Sequence, residues 1–363
     1  MKQYIILLLF TLPGIAQVSA QDAPLARPAS YAPSDSMFSK DTIRLAAVGD
    51  IMLGSTYPSL SYLAPNDGKR LLDQVKPWLQ KADVAFGNLE GTVFDGPGTV
   101  KNCQDPTKCY AFRSPARYAF HLREAGFDLL SVANNHMGDF GDAGRRATVR
   151  NLDSAGIASS GQLFRPYTQI TVKGKTIGML AFAPNSGCLS LNDTAEAMRL
   201  VRKHRSQCDI LIVSFHGGAE GSGYRHVPKQ REVFLGENRG DVYRFAHRVI
   251  DEGADVVLGH GPHVTRGSEV YKGRFITYSM GNFCTYGRFS LKGPNGMAPL
   301  FSLDLLPDGR FAGGWIVPVK QYGEGGPVLD PNGDVIRDIA ELSRLDFNGA
   351  GLEVRPDGRL LPK

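Results

Sequence analysis

The sequence predicts an α/β fold in which a β-sheet is covered by helices on both faces. Short, unbroken apolar runs recur along the chain, and those before Gly49 and Gly87 stop at a glycine, which is typical of buried strands. Segments with helical spacing separate these runs, and strands that are apolar throughout occur in sheets covered on both faces. The 42 glycines and 22 prolines show no collagen-like period and therefore indicate many turns.

The predicted elements alternate from residue 44 onward. Strands are predicted at residues 44–49, 84–86, 128–133, 177–182, 210–215, 256–258 and 275–279. Helices are predicted at residues 69–81, 115–125, 143–155 and 194–206, and a long one ends near Gly253. In this last helix Val242, Phe245, Ala246 and Val249 recur at helical spacing, which gives one apolar face.

The domain is expected to cover residues 41–330. The tail, residues 331–363, contains a helical stretch (334–345) and a hairpin-like segment (351–361). We expect this helix and β-hairpin to pack on the same domain rather than to form a second one.

The first twenty residues are typical of a secretory signal peptide. Lys2 is followed by an apolar run, and Val18-Ser19-Ala20 is a small-residue cleavage site. An uncleaved membrane anchor is the alternative, but it needs about 20 apolar residues, and Pro13 interrupts this run. Residues 21–40, rich in Pro, Ala and Ser, are expected to be a flexible lead-in. The mature chain is therefore expected to be secreted or periplasmic, with no transmembrane helix.

Charge excludes one class of partner. The formal net charge is +5, from 41 Lys and Arg against 36 Asp and Glu, and the basic residues are dispersed. A nucleic-acid-binding protein should instead carry a clustered basic surface. We therefore expect no nucleic-acid partner.

The five cysteines suggest disulfides, because an exported chain meets an oxidising environment. Cys103 and Cys109 are close in sequence, and Cys188 and Cys208 flank the predicted helix at 194–206. We predict these two pairs, with Cys284 free. Five reduced thiols remain the alternative, since connectivity cannot be read from sequence.

Polar residues follow the predicted strands, where ligands of α/β proteins bind. Five strand ends supply carboxylate, amide and imidazole groups: Asp50; Asn88 and Glu90; Asn134, Asn135 and His136; His216 and Glu220; His260 and His263. Each strand end alone also fits a turn or a helix cap. Together these oxygen and nitrogen donors favour zinc, manganese or iron. Such an ion would act as a Lewis acid or activate water as a nucleophile.

A family resemblance rests on the same residues. The motifs are Gly49–Gly54 (GDIMLG), Asn88–Glu90 (NLE), Ala133–His136 (ANNH), His216 with Glu220, Gly259–His263 (GHGPH) and Tyr278–Phe283 (YSMGNF). In order and spacing, over roughly residues 43–318, they resemble the CapA family of bacterial poly-γ-glutamate capsule synthesis proteins. That family is similar to calcineurin-like metallophosphoesterases. The resemblance implies a metallophosphoesterase-like sandwich of two mixed β-sheets flanked by helices, with a metal site in the strand-end loops.

The resemblance also implies roles for individual residues. The implied metal ligands are Asp50, Glu90, Asn135, His216, His260 and His263, and His136 would be the catalytic proton donor. The phosphoesterase motif Asp-x-His appears here as Asp50-Ile51-Met52, so one histidine ligand is absent. No bridging aspartate is evident in the second motif, where Asn88 or Glu90 would serve. One or two ions therefore remain open.

Further ligand or substrate contacts are expected from Asn88, Glu220, Asn282 and Arg113. Arg113, in Phe112-Arg113-Ser114-Pro115, resembles the family's short motif before a helix and would hold a substrate carboxylate through two hydrogen bonds, although a surface arginine at a helix start is equally consistent with its position.

The sequence is consistent with two functions. The first is a metal-dependent hydrolase-like enzyme acting on an anionic envelope polymer such as poly-γ-glutamate. The second is a non-catalytic accessory that binds or guides the polymer, together with other capsule synthesis proteins. The chain has no Gly-x-x-x-x-Gly-Lys-Ser/Thr motif, so nothing supports an ATP-driven ligase.

The signal peptide is directly testable. After expression with an export pathway, the mature chain should begin near Gln21, because cleavage is expected after Ala20. Intact-mass measurement of the exported protein checks this. Recovery of the chain in the membrane fraction with Met1 retained would contradict it.

Overall fold

The computed structural model describes residues 42–102, 109–323 and 325–363. The predicted signal peptide (1–20), the lead-in (21–40) and Cys103 lie outside the described residues.

The described residues form six α-helices and 21 strands. The helices are α1 (Lys76–Lys81), α2 (Tyr118–Ala125), α3 (Gly141–Ser154), α4 (Thr194–Arg205), α5 (Val242–Asp251) and α6 (Asp334–Phe347). The strands of the first half are β1 (Ile43–Met52), β2 (Val84–Leu89), β3 (Thr92–Val93), β4 (Arg113–Ser114), β5 (Leu129–Ser131), β6 (Ala158–Ser160), β7 (Tyr167–Val172), β8 (Lys175–Ala183) and β9 (Leu189–Ser190). Those of the second half are β10 (Ile210–His216), β11 (Glu232–Phe234), β12 (Glu237–Gly240), β13 (Val256–His260), β14 (Ser268–Tyr271), β15 (Arg274–Thr277), β16 (Asn282–Thr285), β17 (Met297–Leu305), β18 (Phe311–Lys320), β19 (Val328–Leu329), β20 (Leu352–Val354) and β21 (Arg359–Pro362).

Two mixed sheets form the centre of the molecule. The larger sheet has the order β20-β21-β18-β17-β1-β2-β5-β6, with β16 also paired to β1 and β19 to β18. The smaller sheet has the order β14-β15-β13-β10-β8-β7, with β9 on β8. In the larger sheet β1 is parallel to β2 and antiparallel to β17; in the smaller one β8 is parallel to β10 and antiparallel to β7. The predicted pair of mixed sheets flanked by helices is confirmed.

The core is layered because the central strands are buried on both faces. Leu45 and Ala47 of β1 pack between the two sheets, against residues such as Ile212 of the smaller sheet. The alternate residues Ala46 and Val48 face the opposite way and pack with α1, α2 and α3. The outer face of the smaller sheet packs with α4 and α5. This layering explains why the strands are apolar throughout.

All seven predicted strands are present, but one predicted helix is shorter than expected. The helix expected at 69–81 begins at Lys76. The preceding residues form tight turns instead, with hydrogen bonds such as the one from the Leu71 N–H to the Gly68 carbonyl (3.2 Å). Pro77 has no N–H to donate and suits the first turn of a helix, which is where it lies.

The tail extends the larger sheet. β20 and β21 form an antiparallel hairpin, and β21 pairs with β18 through Gly314 and Trp315. Val335, Ile336 and Ile339 of α6 are buried in the layer between the two sheets. Among residues 42–102, 109–323 and 325–363, every helix falls short of the length and apolar character that a membrane span requires.

The predicted Cys188–Cys208 disulfide is wrong, because both residues are free thiols. Cys208 lies against Gly178 near the start of β8, whereas Cys188 follows the end of that strand. Opposite ends of one strand are too far apart for a disulfide, whose Cα atoms lie within about 7 Å. Cys109 is disulfide-bonded, while its predicted partner Cys103 lies outside the described residues. Cys284 is a buried free thiol.

The chain crosses between the sheets beside the strand ends that carry the predicted site. β15 of the smaller sheet ends at Thr277, and β16 of the larger sheet begins at Asn282. Within residues 278–281, the Met280 N–H donates to the Gly259 carbonyl at 3.2 Å. The carbonyl of Gly281 accepts a hydrogen bond from the Asp50 N–H at 2.9 Å. This crossing therefore hydrogen-bonds to β13 and to β1, and it joins the two sheets.

Two glycines allow this close approach. A Cβ on Gly259 would lie 2.5 Å from the carbonyl oxygen of Tyr278, and a Cβ on Gly49 would collide with the carbonyl oxygen of Gly281. Backbone atoms cannot move aside as the end of a flexible side chain can. Gly is therefore required at both positions by space.

Gly259→Ala should destabilise the fold, because the added methyl group forces the crossing segment away from β13. We expect a loss of about 3 kcal/mol in the free energy of unfolding, measured by urea denaturation. Gly223→Ala is the matched control: its Cβ would meet nothing within 4 Å, and a change within about 0.5 kcal/mol is expected. Equal stability of the two variants would contradict the close approach.

Candidate metal centre

The candidate site lies where parallel strands of both sheets end. In the larger sheet, Asp50 of β1 is in register with Asn88 of β2 on one side and with Asn282 of β16 on the other. In the smaller sheet, His216 of β10 is in register with His260 of β13. The crossing segment brings these two sets of strand ends together.

Asp50 is the residue through which the two sheets meet at this site, and it is fully buried. Its Oδ1 accepts a hydrogen bond from Nδ2 of Asn88 at 2.9 Å and lies 3.3 Å from Nδ1 of His260. Its Oδ2 lies 3.0 Å from Nδ1 of His263. One carboxylate of the larger sheet thus contacts both histidines of the Gly-His-Gly-Pro-His turn.

His263 lies between two carboxylates. Its Nδ1 faces Asp50, and its Nε2 lies 3.5 Å from Oε1 of Glu90. The backbone of His263 is left-handed (φ 57°), a conformation that is uncommon for residues with a side chain and that recurs at functional sites. Ligand atoms of Asp50, Glu90 and His263 all lie within 4.8 Å of one another, which is close enough to share one ion.

Several buried polar atoms around this trio have no hydrogen-bond partner in the described part of the chain. They are both carboxylate oxygens of Glu90, both ring nitrogens of His260, Nδ1 of His216, Oδ1 of Asn135 and Oδ1 of Asn282. Buried polar atoms are almost always satisfied by protein, water or an ion. Carboxylate oxygen and imidazole nitrogen are donors that zinc, manganese and iron accept. The residues present therefore fit a divalent metal.

The pKa values of the trio are strongly perturbed. Burial alone would raise the pKa of Asp50, but the adjacent imidazole of His260 and the hydrogen bond with His263 hold it well below its usual range. Burial alone would lower the pKa of His263, but Glu90 and Asp50 raise it to about 10. Burial, reinforced by the negative charge of Asp50, raises the pKa of Glu90. Without a metal, His263 is an imidazolium at neutral pH and supplies the positive charge that the carboxylates need.

Asn134 orders the second strand end, a role that the sequence did not assign to it. Its Nδ2 donates to Oδ1 of Asn88 at 3.1 Å and to the carbonyl of Leu89 at 2.8 Å. Its Oδ1 accepts the N–H of His136 at 3.1 Å. Asn88, with its amide bonded to Asp50 and its oxygen to Asn134, positions Asp50 rather than offering a free ligand atom.

His136 is held in one orientation beside this centre. Its Nδ1 lies 2.9 Å from Oδ2 of Asp139, and that carboxylate is itself fixed by the N–H of Phe112 (2.8 Å) and by Nζ of Lys101 (2.6 Å). The ring of Phe112 packs on the imidazole at 4.4 Å. Burial lowers the pKa of His136, although Asp139 opposes this. The imidazole is therefore neutral at pH 7, with the proton on Nδ1 and a free lone pair on Nε2.

The hairpin β11–β12 contributes a buried arginine that no sequence pattern marked. Nη2 of Arg239 lies 3.3 Å from Nε2 of His216 and 2.9 Å from Oε1 of Glu220. A guanidinium can only donate, so Nε2 of His216 accepts and Nδ1 carries the proton. Burial and the charge of Arg239 keep the pKa of His216 well below its usual range. His216 and Glu220 are thus near the centre but engaged with Arg239.

Asn282 and Arg113, which were predicted to contact a ligand or substrate, make hydrogen bonds that hold neighbouring loops. Asn282 donates from Nδ2 to the carbonyls of His263 (3.3 Å) and Asn295 (3.1 Å), which holds the turn that carries His263. Arg113 donates to Oγ1 of Thr56 at 2.9 Å and to the carbonyl of Gly96 at 2.6 Å. These contacts tie Arg113 to a neighbouring loop rather than to the metal donors.

Comparison with known proteins identifies relatives over most of the chain. A family model described as "Bacterial capsule synthesis protein PGA_cap" matches residues 44–286. The chain is 28% identical to the capsule biosynthesis protein CapA of Bacillus anthracis, over 67% of this chain and 60% of the relative. It is 29% identical to the PGA biosynthesis protein CapA of Bacillus subtilis, over 69% of this chain and 65% of the relative. The chain thus spans less than two thirds of either Bacillus protein.

A third relative and two solved structures are also similar. A "probable polyglutamine synthesis accessory protein" of Mycobacterium tuberculosis is 28% identical over 67% of this chain and 74% of the relative. A hypothetical protein from Thermus thermophilus overlaps 76% of this chain and 98% of its own at a TM-score of 0.46 and 17% identity. The NAD nucleotidase of Haemophilus influenzae overlaps 86% of this chain and 57% of its own at a TM-score of 0.43 and 13% identity.

Metal affinity should rise with pH. His263, whose pKa is about 10 without metal, must lose its proton before it can bind a cation. We expect zinc or manganese binding to release at least one proton and to tighten about tenfold per pH unit between pH 7 and 9. Isothermal titration calorimetry in buffers of different ionisation enthalpy measures both effects.

Two variants test whether the pH dependence of metal affinity comes from His263 rather than from another histidine. His263→Ala should lower the metal content and flatten the pH dependence. His226→Ala is the control, because His226 is exposed and pairs with Asp346 instead, and its metal binding should match that of the wild type. A pH-independent wild-type affinity would contradict the proton–metal exchange.

Proposed function

Because this chain belongs to the PGA_cap family of bacterial capsule synthesis proteins, we propose that it is an exported, metal-dependent hydrolase-like enzyme. Its substrate would be an anionic polymer of the cell envelope, such as poly-γ-glutamate. The observation that carries the proposal is the buried cluster of Asp50, Glu90 and His263 beside an oriented His136. A protein that only binds a polymer on its surface would not need buried carboxylate and imidazole groups that lack hydrogen-bond partners.

The proposed centre holds zinc, manganese or iron. Asp50, Glu90, His260 and His263 would bind it, because their donor atoms converge or lack other partners. Asn135 would add its unpaired Oδ1. His216 would bind an ion only after its hydrogen bond with Arg239 breaks. This requirement favours a centre with one ion over a centre with two. A bound ion would polarise the scissile group and activate water.

His136 would move the proton in the proposed reaction. Asp139 holds the proton on Nδ1, which leaves Nε2 to take a proton from water and then to pass it to the leaving group. Phe112 packs against the imidazole, which is only 8% exposed, so little bulk water would reach it. Asp139 acts through His136 and is a positioning residue.

A non-catalytic accessory that binds or guides the polymer is the second candidate. It is favoured by Met52, which stands where the phosphoesterase motif has a histidine ligand. Met52 is buried, and its Sδ accepts the N–H of Gly54 at 3.2 Å, so its side chain is engaged locally. The name of the Mycobacterium tuberculosis relative also supports this candidate. In either case other capsule synthesis proteins are proposed partners.

His136→Ala should abolish hydrolysis and leave the metal bound. The variant removes the proton-transferring group but none of the trio that binds the ion, so we expect at least a 100-fold loss of turnover. Release of glutamate oligomers from poly-γ-glutamate by the metal-loaded wild type, with and without chelator, provides the assay. Elemental analysis of the same samples gives the metal content.

Asp139→Asn should reduce turnover with the metal retained, because it weakens control of the imidazole tautomer. His226→Ala should behave as wild type. If the metal-loaded wild type binds polymer but never cleaves it, the accessory function is correct. Equal turnover of His136→Ala and wild type would refute the role of His136.

A further inference from the structure

Arg288 is a basic residue that lies close to the candidate centre. It follows β16 in the chain and is partly buried. Its guanidinium carbon lies 5.2 Å from the ring centroid of Tyr62, 4.7 Å from that of Tyr110 and 6.0 Å from that of Phe112. Nη1 is buried without a hydrogen-bond partner in the described part of the chain, and no described carboxylate pairs with Arg288.

Contact with aromatic rings does not account for the unpaired nitrogen. Arg113 also lies over two rings, with its guanidinium carbon 5.9 Å from the ring centroid of Phe94 and 5.0 Å from that of Phe140. Its nitrogens nevertheless donate to Thr56 and to the carbonyl of Gly96. Aromatic faces attract a guanidinium, but they do not replace acceptors for its five N–H groups. Among the described residues, Arg288 therefore lacks the kind of oxygen acceptors that Arg113 has.

A pair of stacked aromatic rings lies between Arg288 and two histidines of the proposed centre. Phe112, which lies under the guanidinium, stacks on Phe289 at 5.1 Å and packs on His136 at 4.4 Å. Phe289 in turn meets the ring of His263 edge to face at 5.7 Å. A single pair of rings thus separates Arg288 from both the proton-transferring histidine and a proposed metal ligand.

We propose that Arg288 is a substrate-binding residue that holds a carboxylate of an anionic chain while a neighbouring link of that chain lies at the metal centre. This inference rests on the proposed function, whose substrate is such a polymer. The planar fork of a guanidinium matches a carboxylate through two parallel hydrogen bonds. Tyr110 is 43% exposed, so the position opens to solvent on one side. The rings of Tyr62 and Tyr110 would pack on the apolar part of the chain between its carboxylates.

Binding of a fluorescently labelled γ-linked glutamate octamer to the metal-loaded mature chain tests the proposal. Arg288→Ala and Arg288→Gln should bind about 10- to 100-fold more weakly, because the charge-assisted pair is lost. Arg288→Lys should lie between these variants and the wild type, since it keeps the charge but not the fork. Lys292→Ala is the matched control: this exposed residue of the same loop carries an equal charge, and the variant should bind within about twofold of wild type.

Each alternative outcome is decisive. Equal affinity of Arg288→Ala and Lys292→Ala would overturn the proposal, as would equal binding of the neutral γ-linked glutamine octamer by the wild type. If elemental analysis shows that Arg288→Ala has lost its metal, the weaker octamer binding would come from damage to the metal centre. That result would also overturn the proposal. Weaker octamer binding with full metal content supports it, even if the wild type cleaves no polymer; that result would refute only the hydrolase.

Discussion

The contact between Asp50 and the histidines of the smaller sheet is the interaction on which the site depends. It joins the end of β1 to the last residue of β13 and the turn that follows, and both strands are buried on two faces. The contact exists because the crossing at residues 278–281 passes directly over Gly49 and Gly259. Any side chain at these glycines would push the sheets apart and separate the carboxylate from the imidazoles. The close packing of the two sheets is therefore also what brings the carboxylate and the imidazoles of the site together.

The site is organised around positive charge. The imidazole of His263 lies between the carboxyl groups of Asp50 and Glu90, which overcome the effect of burial and raise its pKa to about 10. A divalent cation would serve the same two carboxylates, so proton and metal compete for one position. Arg239 and Arg288 also carry positive charge near the centre: Arg239 pairs with Glu220, whereas Arg288 has no ion-pair partner among the described residues. This difference assigns Arg239 to structure and leaves Arg288 for an anionic ligand.

Much of the fold follows from local patterns. Apolar runs predict all seven strands that they mark, because a strand buried on both faces must be apolar at every position. The helix at Lys76 begins later than its apolar spacing suggests, because Pro77 has no N–H to donate and therefore fits the first turn of a helix but not its interior. The Cys188–Cys208 pairing fails for a related reason. Spacing in sequence does not show that two cysteines lie at opposite ends of β8.

The residue types at the strand ends can be read from the amino-acid sequence, because a polar residue directly after an apolar run is a local pattern. Asp50, Glu90 and His263 could be predicted in this way. Their convergence, the hydrogen bonds by which Asn134 orders the site and the contact of Arg239 with His216 all depend on how the two sheets pack. The same holds for Arg288, which pairs with no described carboxylate. An arginine on a hairpin or loop carries no local signal of its partner. Those partners come from other segments of the chain, and only the packing of the two sheets brings them within hydrogen-bonding distance.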